Sequence, residues 1–286
     1  MVDYSHKIIN CKEYRDIKEV GIAKYILENS LKLKLVIIQL GDDPASNTYI
    51  NNKLKACERC KIESELIKLD VNTSQEDLLK IIDRLNDSEN VTGILVQSPL
   101  PPHIDSKVVA NAIVYTKDVD GFSIINKGKL YSNEDCLVPC TAQGVIEILK
   151  YNNIEIEGKN VVIINRSDLI GKPLTHLFLQ NNATVTVCHS YTQNLSEISS
   201  QADILVVGVG KAKFITKDFV KKGAIILDVG INFLDDKLCG DVDFFDCIEK
   251  CSKITTVPGG VGLLTVTNLL TNVVKAFHLK NIHNNQ

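Results

Sequence analysis

The chain carries no excess of charge of either sign: 32 lysines and arginines stand against 35 aspartates and glutamates, a formal net charge of −3. That balance gives no electrostatic reason to expect a nucleic-acid backbone or an anionic membrane as a partner, and it leaves small ligands open. No apolar stretch approaches the roughly 18 residues that span a bilayer. The opening MVDYSHKIIN includes Asp3 and lacks the basic-then-apolar order of a secretory signal. Internal repeats and low-complexity segments are also missing. From these absences we expect a cytoplasmic protein without a membrane or nucleic-acid partner.

The cysteines lack a pairing pattern. There are nine, an odd number, spread from Cys11 to Cys251 through 286 residues, enough chain to fold without covalent staples. Reduced thiols are expected. Cys57-Glu58-Arg59-Cys60 has C-x-x-C spacing and Cys247 and Cys251 lie four apart, so a split zinc site or a redox pair comes into question. Cys57 and Cys60 fall at the end of a predicted helix with no short-spaced second pair or histidine beside them. No metal is expected.

What is present is an alternation of short β-branched runs and helical patterns, the mark of parallel sheets with crossover helices. Strands are predicted near 34–40, 64–69, 92–98, 160–165, 183–190, 202–210, 223–232 and 253–262, and helices near 45–62, 75–87 and 104–115, with a last helix from about Leu264 and a frayed tail after Lys280. The later strands are near-continuously apolar, as strands covered on both faces must be. Residues 117–141 read as a turn-rich approach to a second domain. At roughly 150 residues per domain, the length allows about two.

After the strand Val161–Ile164 comes Asn165-Arg166-Ser167-Asp168-Leu169-Ile170-Gly171-Lys172-Pro173 and then a helix. A helix N-terminus beyond a strand end can face a dinucleotide phosphate, although only Gly171 of the usual three glycines is there. The following strand ends in Cys188-His189-Ser190, without the carboxylate that would hold the ribose 2′-hydroxyl of NAD. Arg166, Ser167, His189 and Ser190 suit a 2′-phosphate, which favours NADP. Elsewhere, Ser46, Tyr49 and Lys53 sit at i, i+3 and i+7, on one face of a helix. Gln97 stands at the carboxyl end of a strand, where open α/β sheets bind ligands, followed by Ser98-Pro99-Leu100-Pro101-Pro102. Lys117-Asp118-Val119-Asp120-Gly121 sets two carboxylates at a turn.

In order along the chain, Ser46-x-x-Tyr49-x-x-x-Lys53, Val96-Gln97-x-Pro99-Leu100-Pro101, Lys117-Asp118-Val119-Asp120-Gly121, Pro139-Cys140-Thr141, Arg166-Ser167-x-x-x-Gly171-x-Pro173, Cys188-His189-Ser190 and Val257-Pro258-Gly259-Gly260-Val261-Gly262 resemble the methylenetetrahydrofolate dehydrogenase/methenyltetrahydrofolate cyclohydrolase family. The resemblance implies an α/β fold of two domains, a folate-binding domain of 1–138 plus 266–286 and a Rossmann-like NADP-binding domain of 139–265, with a cleft between them. It implies tetrahydrofolate one-carbon derivatives as substrates, NADP as cofactor and a homodimer. Lys53 would be the central catalytic group, assisted by Gln97, with Tyr49 stacked on the folate and Asp120 on its pterin edge. Ser46, Pro99, Leu100, Gly259 and Gly260 would line the substrate. Thr141, Asn165, Arg166, Ser167, Gly171, His189, Ser190 and Ile231 would hold the cofactor.

Several positions depart from the family's usual residues. Asn165 stands for glycine, Ser98 for leucine, Ala142 for proline, Thr256 for proline, and Leu263-Leu264 for Pro-Met. An asparagine beside the phosphate loop and a lost fixed φ at 263 bear on the dehydrogenase more than on hydrolysis. The second reading is therefore a monofunctional cyclohydrolase with weak or absent dehydrogenase activity.

Overall fold

The computed structural model describes residues 3–235 and 237–283. The chain forms two compact units: Asp16–Cys140 with the chain from Val266 onward, and the residues up to Arg15 with Thr141–Thr265.

The first of these is built on a three-stranded sheet. Helix α1 (Cys11–Glu28) is followed by β1 (Lys34–Leu40), α2 (Pro44–Arg59), β2 (Glu63–Leu69), α3 (Gln75–Asp87), β3 (Gly93–Val96), α4 (Ser106–Ala112) and α5 (Ile124–Tyr131). The strands pair in parallel in the order β2-β1-β3. Because side chains alternate along a strand, Leu35 and Ile37 enter one core with Ile50, Cys57 and Val273, whereas Val36, Ile38 and Leu40 enter another with Leu78 and Ile82. Side-chain oxygens begin the helices: Asp43 caps α2 ahead of Pro44, and Ser74, Asp105 and Ser123 cap α3, α4 and α5.

The second unit holds α6 (Cys140–Tyr151), β4 (Asn160–Ile164), α7 (Gly171–Gln180), β5 (Thr184–Cys188), α8 (Leu195–Ser199), β6 (Ile204–Val207), β7 (Ile225–Asp228), a hairpin of β8 (Asn232–Leu234) and β9 (Lys237–Cys239), α9 (Phe244–Cys247) and β10 (Lys253–Ile254). Its five-stranded sheet runs β10-β7-β6-β4-β5, all parallel, in a Rossmann-like arrangement. Apolar clusters cover both faces, one around Phe178, Ile163 and Val206, the other around Ile164, Leu205 and Ile226. The last helix, α10 (Gly262–His283), returns to the three-stranded unit through Leu269, Leu270 and Val273.

The first residues of the chain cluster with the five-stranded unit: Ile9 N donates to Ile254 O at 2.9 Å and Lys7 Nζ to Ile248 O at 2.8 Å. Two expectations need amending. The turn-rich passage contains α5, whose Ile124 and Ile125 are exposed, so no apolar stripe announces it. The final helix continues past Lys280 to His283; residues 284–286 of the tail lie outside the described residues. Among the described residues no helix is long and apolar enough to cross a membrane, and no three His, Cys, Asp or Glu side chains are grouped to hold a metal ion. Burial pushes the Cys57 and Cys60 thiols up to about 12, which keeps them protonated and unreactive.

Candidate active site

In the three-stranded unit, α2 starts where Asp43 accepts the Ser46 N–H at 2.7 Å. From that start the helix puts Ser46, Tyr49 and Lys53 on one face. Ser46 is buried, with Oγ 3.5 Å from Ser98 O, while Tyr49 is 41% exposed. Lys53, half-buried one turn further on, donates from Nζ to Gln97 Oε1 at 2.8 Å. Gln97 extends the β3 ladder through its N–H to Ile38 O, and its Nε2 donates to Ser98 O at 2.6 Å. The Ser98–Pro99 peptide is cis; Pro99 is exposed, and Leu100 packs against the core of β1 and β3.

Asp120 joins this pair from the turn after α4. Gly121 makes the turn feasible, with φ +71°; a Cβ there would stand 2.6 Å from Leu137 O. Neighbouring Asp118 is buried and accepts from Ser123 N and Asn126 Nδ2. Burial pushes the Asp120 carboxyl up to about 6, against the attraction of Lys53 and helped by the repulsion of Asp118. Burial likewise lowers the Lys53 ammonium below its ordinary range, with Asp120 chief among the groups opposing it. Lys53 and Gln97 are thus in contact and Asp120 lies near enough to act on Lys53 electrostatically, an arrangement that spacing alone did not reveal. Two further groups were missed in the sequence: Cys140 at the start of α6, whose thiol senses both Lys53 and Asp120, and Asn272 on α10, which binds Val119 O.

In the five-stranded unit the loop from β4 to α7 is closed by Asn165. Its Oδ1 accepts from Ser167 N, Ser167 Oγ and Gly171 N at 2.8, 2.8 and 2.9 Å, and its Nδ2 donates to Gly208 O beyond β6. The carboxamide therefore braces the loop, and the N–H groups of Ser167 and Gly171 are already used within the chain. Gly171 is required by close approach, since a Cβ would lie 2.1 Å from Asn165 O. Replacing Asn165 by leucine is expected to destabilise this unit by about 2–4 kcal/mol, because half-buried donors lose their acceptor. Denaturant unfolding of the variant against the parent chain measures it.

Arg166 is exposed, its guanidinium carbon 5.4 Å from the centroid of the Tyr191 ring. His189 Nδ1 accepts from Tyr191 N at 3.2 Å, and Ser190 is exposed beside them. The end of β5 thus presents a cation, an imidazole and a hydroxyl with no carboxylate of its own, a donor set that fits a phosphate monoester. Tyr191 had not been singled out in the sequence. Thr141 and Thr265 share a hydroxyl hydrogen bond of 3.0 Å, and Ile231 is exposed just before β8. Gly259 and Gly260 form the turn that leads to α10, the first exposed and the second buried. The departure at 263 has a structural reason: Leu263 N donates to Gly260 O at 3.1 Å, a bond proline could not make, so the turn is held by a hydrogen bond instead of a fixed φ.

Comparison with known proteins gives a consistent picture. Residues 9–120 match the catalytic domain of tetrahydrofolate dehydrogenase/cyclohydrolase, and residues 139–281 match the NAD(P)-binding domain of the same family. The chain is 50% identical over 273 residues to the bifunctional protein FolD of Bacillus cytotoxicus, covering 94% of this chain and 96% of that one. Among solved structures it is similar to the bifunctional FolD enzyme of Campylobacter jejuni, with a TM-score of 0.93 and 41% identity over 96% of this chain and 99% of that one. It is also similar to the Trypanosoma brucei methylenetetrahydrofolate dehydrogenase-cyclohydrolase complexed with NADP and an inhibitor, with a TM-score of 0.90 and 34% identity over 96% and 97% of the two chains. With both domain models matched in order and half the residues shared along nearly the full length, the chain belongs to the tetrahydrofolate dehydrogenase/cyclohydrolase family.

Proposed function

We infer that this chain oxidises 5,10-methylenetetrahydrofolate to the 5,10-methenyl form with NADP and hydrolyses that product to 10-formyltetrahydrofolate. The observation that carries the reading is the grouping of Lys53, Gln97 and Asp120 in one unit; the other unit, on its own, ends β5 in phosphate-suited groups. NADP supplies the hydride acceptor. Arg166, His189 and Ser190 are proposed for its 2′-phosphate, with Thr141, Gly171 and Ile231 along the rest of it; Ser167, whose N–H and hydroxyl both donate to Asn165, is proposed to act by shaping the loop. Asn165 acts through the loop it braces.

The substrate roles are proposals of the same kind. Tyr49 offers a ring face to the folate, Ser46, Pro99 and Leu100 line it, and the Asp120 carboxylate accepts from the pterin's amino-pyrimidine N–H groups; Gly259 and Gly260 are proposed for the substrate as well. The oxidised substrate carries a delocalised methenyl cation, which a fixed ammonium would oppose. Burial lowers the pKa of Lys53 and so favours its neutral amine, and Gln97 holds it without adding charge. In the hydrolytic step water adds to the methenyl carbon, the carbon–N5 bond breaks, N5 takes a proton and one proton is released. Lys53 accepts and returns the protons.

A cyclohydrolase lacking the dehydrogenase is not favoured, since the close relatives are named bifunctional and both family domains are matched. We also propose a homodimer working in the cytoplasm; nine free cysteines suit a reducing compartment.

The test is an assay with 5,10-methylenetetrahydrofolate and NADP or NAD, following reduced nicotinamide and the methenyl absorbance separately. Reduction of NADP with later loss of the methenyl band is expected; no reduction with either cofactor would overturn the dehydrogenase half. The cyclohydrolase kcat/KM is expected to fall as pH drops through about 6, where Asp120 takes up its proton. Because Asp120 and Lys53 titrate together, that limb belongs to the pair.

A further inference from the structure

We propose that Asn272, on the last helix, is a positioning residue for the Lys53–Asp120 pair: it fixes the peptide that carries Asp120 and so sets the carboxylate's place against the lysine. Asn272 is 1% exposed. Its Nδ2 donates to Val119 O and to Val138 O, both at 2.8 Å, and lies 3.6 Å from Cys140 Sγ. Two carbonyl oxygens on one atom decide the orientation of the amide, because only the nitrogen can donate.

Val119 O belongs to the peptide group whose nitrogen is that of Asp120. A second donor, Cys140 Sγ, reaches the same oxygen at 3.6 Å. The backbone at Gly121 is pressed onto the segment 137–139, so Asn272 stitches together the two stretches that meet there. One turn earlier, Asn268 repeats the device: its Nδ2 donates to Cys140 O at 3.1 Å and its Oδ1 accepts from Lys18 Nζ. At i and i+4, the two carboxamides share one face of α10. The helix thereby supplies donors to Val119 O and Val138 O, which lie outside every named strand and helix, and a further donor to Cys140 O at the start of α6.

The consequence for chemistry is positional. The influence of a carboxylate on a neighbouring amine in a poorly solvated site depends steeply on their separation, and a misplacement of about 1 Å can cost about a hundredfold in rate. The titratable groups facing Asp120 are Lys53 from α2, Asp118 from its own turn and Cys140 from α6, while Cys57 faces Lys53. Asn272 is neutral and adds nothing to that field directly. Any effect it has on titration must act through the position of Asp120.

The inference rests on Lys53 and Asp120 being the working pair, so the experiment compares N272A and N272S with D120N. For N272A we expect cyclohydrolase kcat/KM to fall by about tenfold to a hundredfold and the acid limb of its pH profile to move by about half a unit or more. NADP affinity, measured by fluorescence titration, should stay within about twofold, because that site lies in the other unit. N272S keeps one donor and should recover part of both the rate and the limb. If N272A does not fold, N272S against the parent chain carries the same comparison. An N272 variant with a pH profile superimposable on that of the parent, or with NADP affinity falling in step with activity, overturns the proposal while D120N remains inactive. A D120N enzyme working at the parent rate overturns the pair itself, and the role of Asn272 with it.

Discussion

Replacement of Lys53 by methionine is expected to lower cyclohydrolase turnover by about 10²–10⁴-fold, the usual worth of a positioned acid–base group, with NADP affinity unchanged. The methionine nearly preserves the volume of the side chain, so packing around α2 should survive. It removes the Nζ that pairs with Gln97 at 2.8 Å and leaves Gln97 Oε1 without that donor. The dehydrogenase should lose less, because hydride departure needs two aligned rings more than it needs a proton carrier. Methenyl absorbance in single-turnover mixing follows the hydrolytic step alone. Full cyclohydrolase turnover in the variant would remove Lys53 from the mechanism.

Replacement of Arg166 by alanine should weaken NADP binding by about ten- to a hundredfold, the equivalent of losing one charged hydrogen-bonded pair. NAD affinity should change by no more than about twofold. The argument is local. Arg166 lies against Tyr191, near His189 and Ser190 at the end of β5, and that strand end offers no carboxylate to a ribose hydroxyl. Calorimetry with NADP, NAD and 2′-AMP separates the possibilities. An equal loss for NADP and NAD would place the guanidinium at the pyrophosphate instead of the 2′-phosphate.

The sequence made the parallel α/β class and nearly every sheet strand legible, because near-continuous apolar runs such as Val161–Ile164 and Ile204–Val207 have few other uses. It also marked Lys53, Gln97 and Asp120 separately, through a helix face, a strand end and a turn. Their grouping was not legible from spacing, since it depends on tertiary packing of α2, β3 and the 118–121 turn; only the family resemblance implied it. Helix α5 escaped because its two isoleucines face outward, and the brace formed by Asn165 escaped because it depends on where one side-chain oxygen points. Asn272 was invisible for a related reason. A polar residue within an apolar helix signals a buried partner, and nothing in the spacing says that the partner lies 153 positions earlier.

The division of the chain also bears on the order in which it can fold as it is made. The five-stranded unit is complete once Thr265 has been synthesised, whereas the three-stranded unit lacks Leu269, Leu270 and Val273 of its core until the final helix emerges. The unit whose strands come first from the ribosome is therefore the second to close. Until it does, the carbonyls around Asp120 have water, and no carboxamide from α10, as their partner.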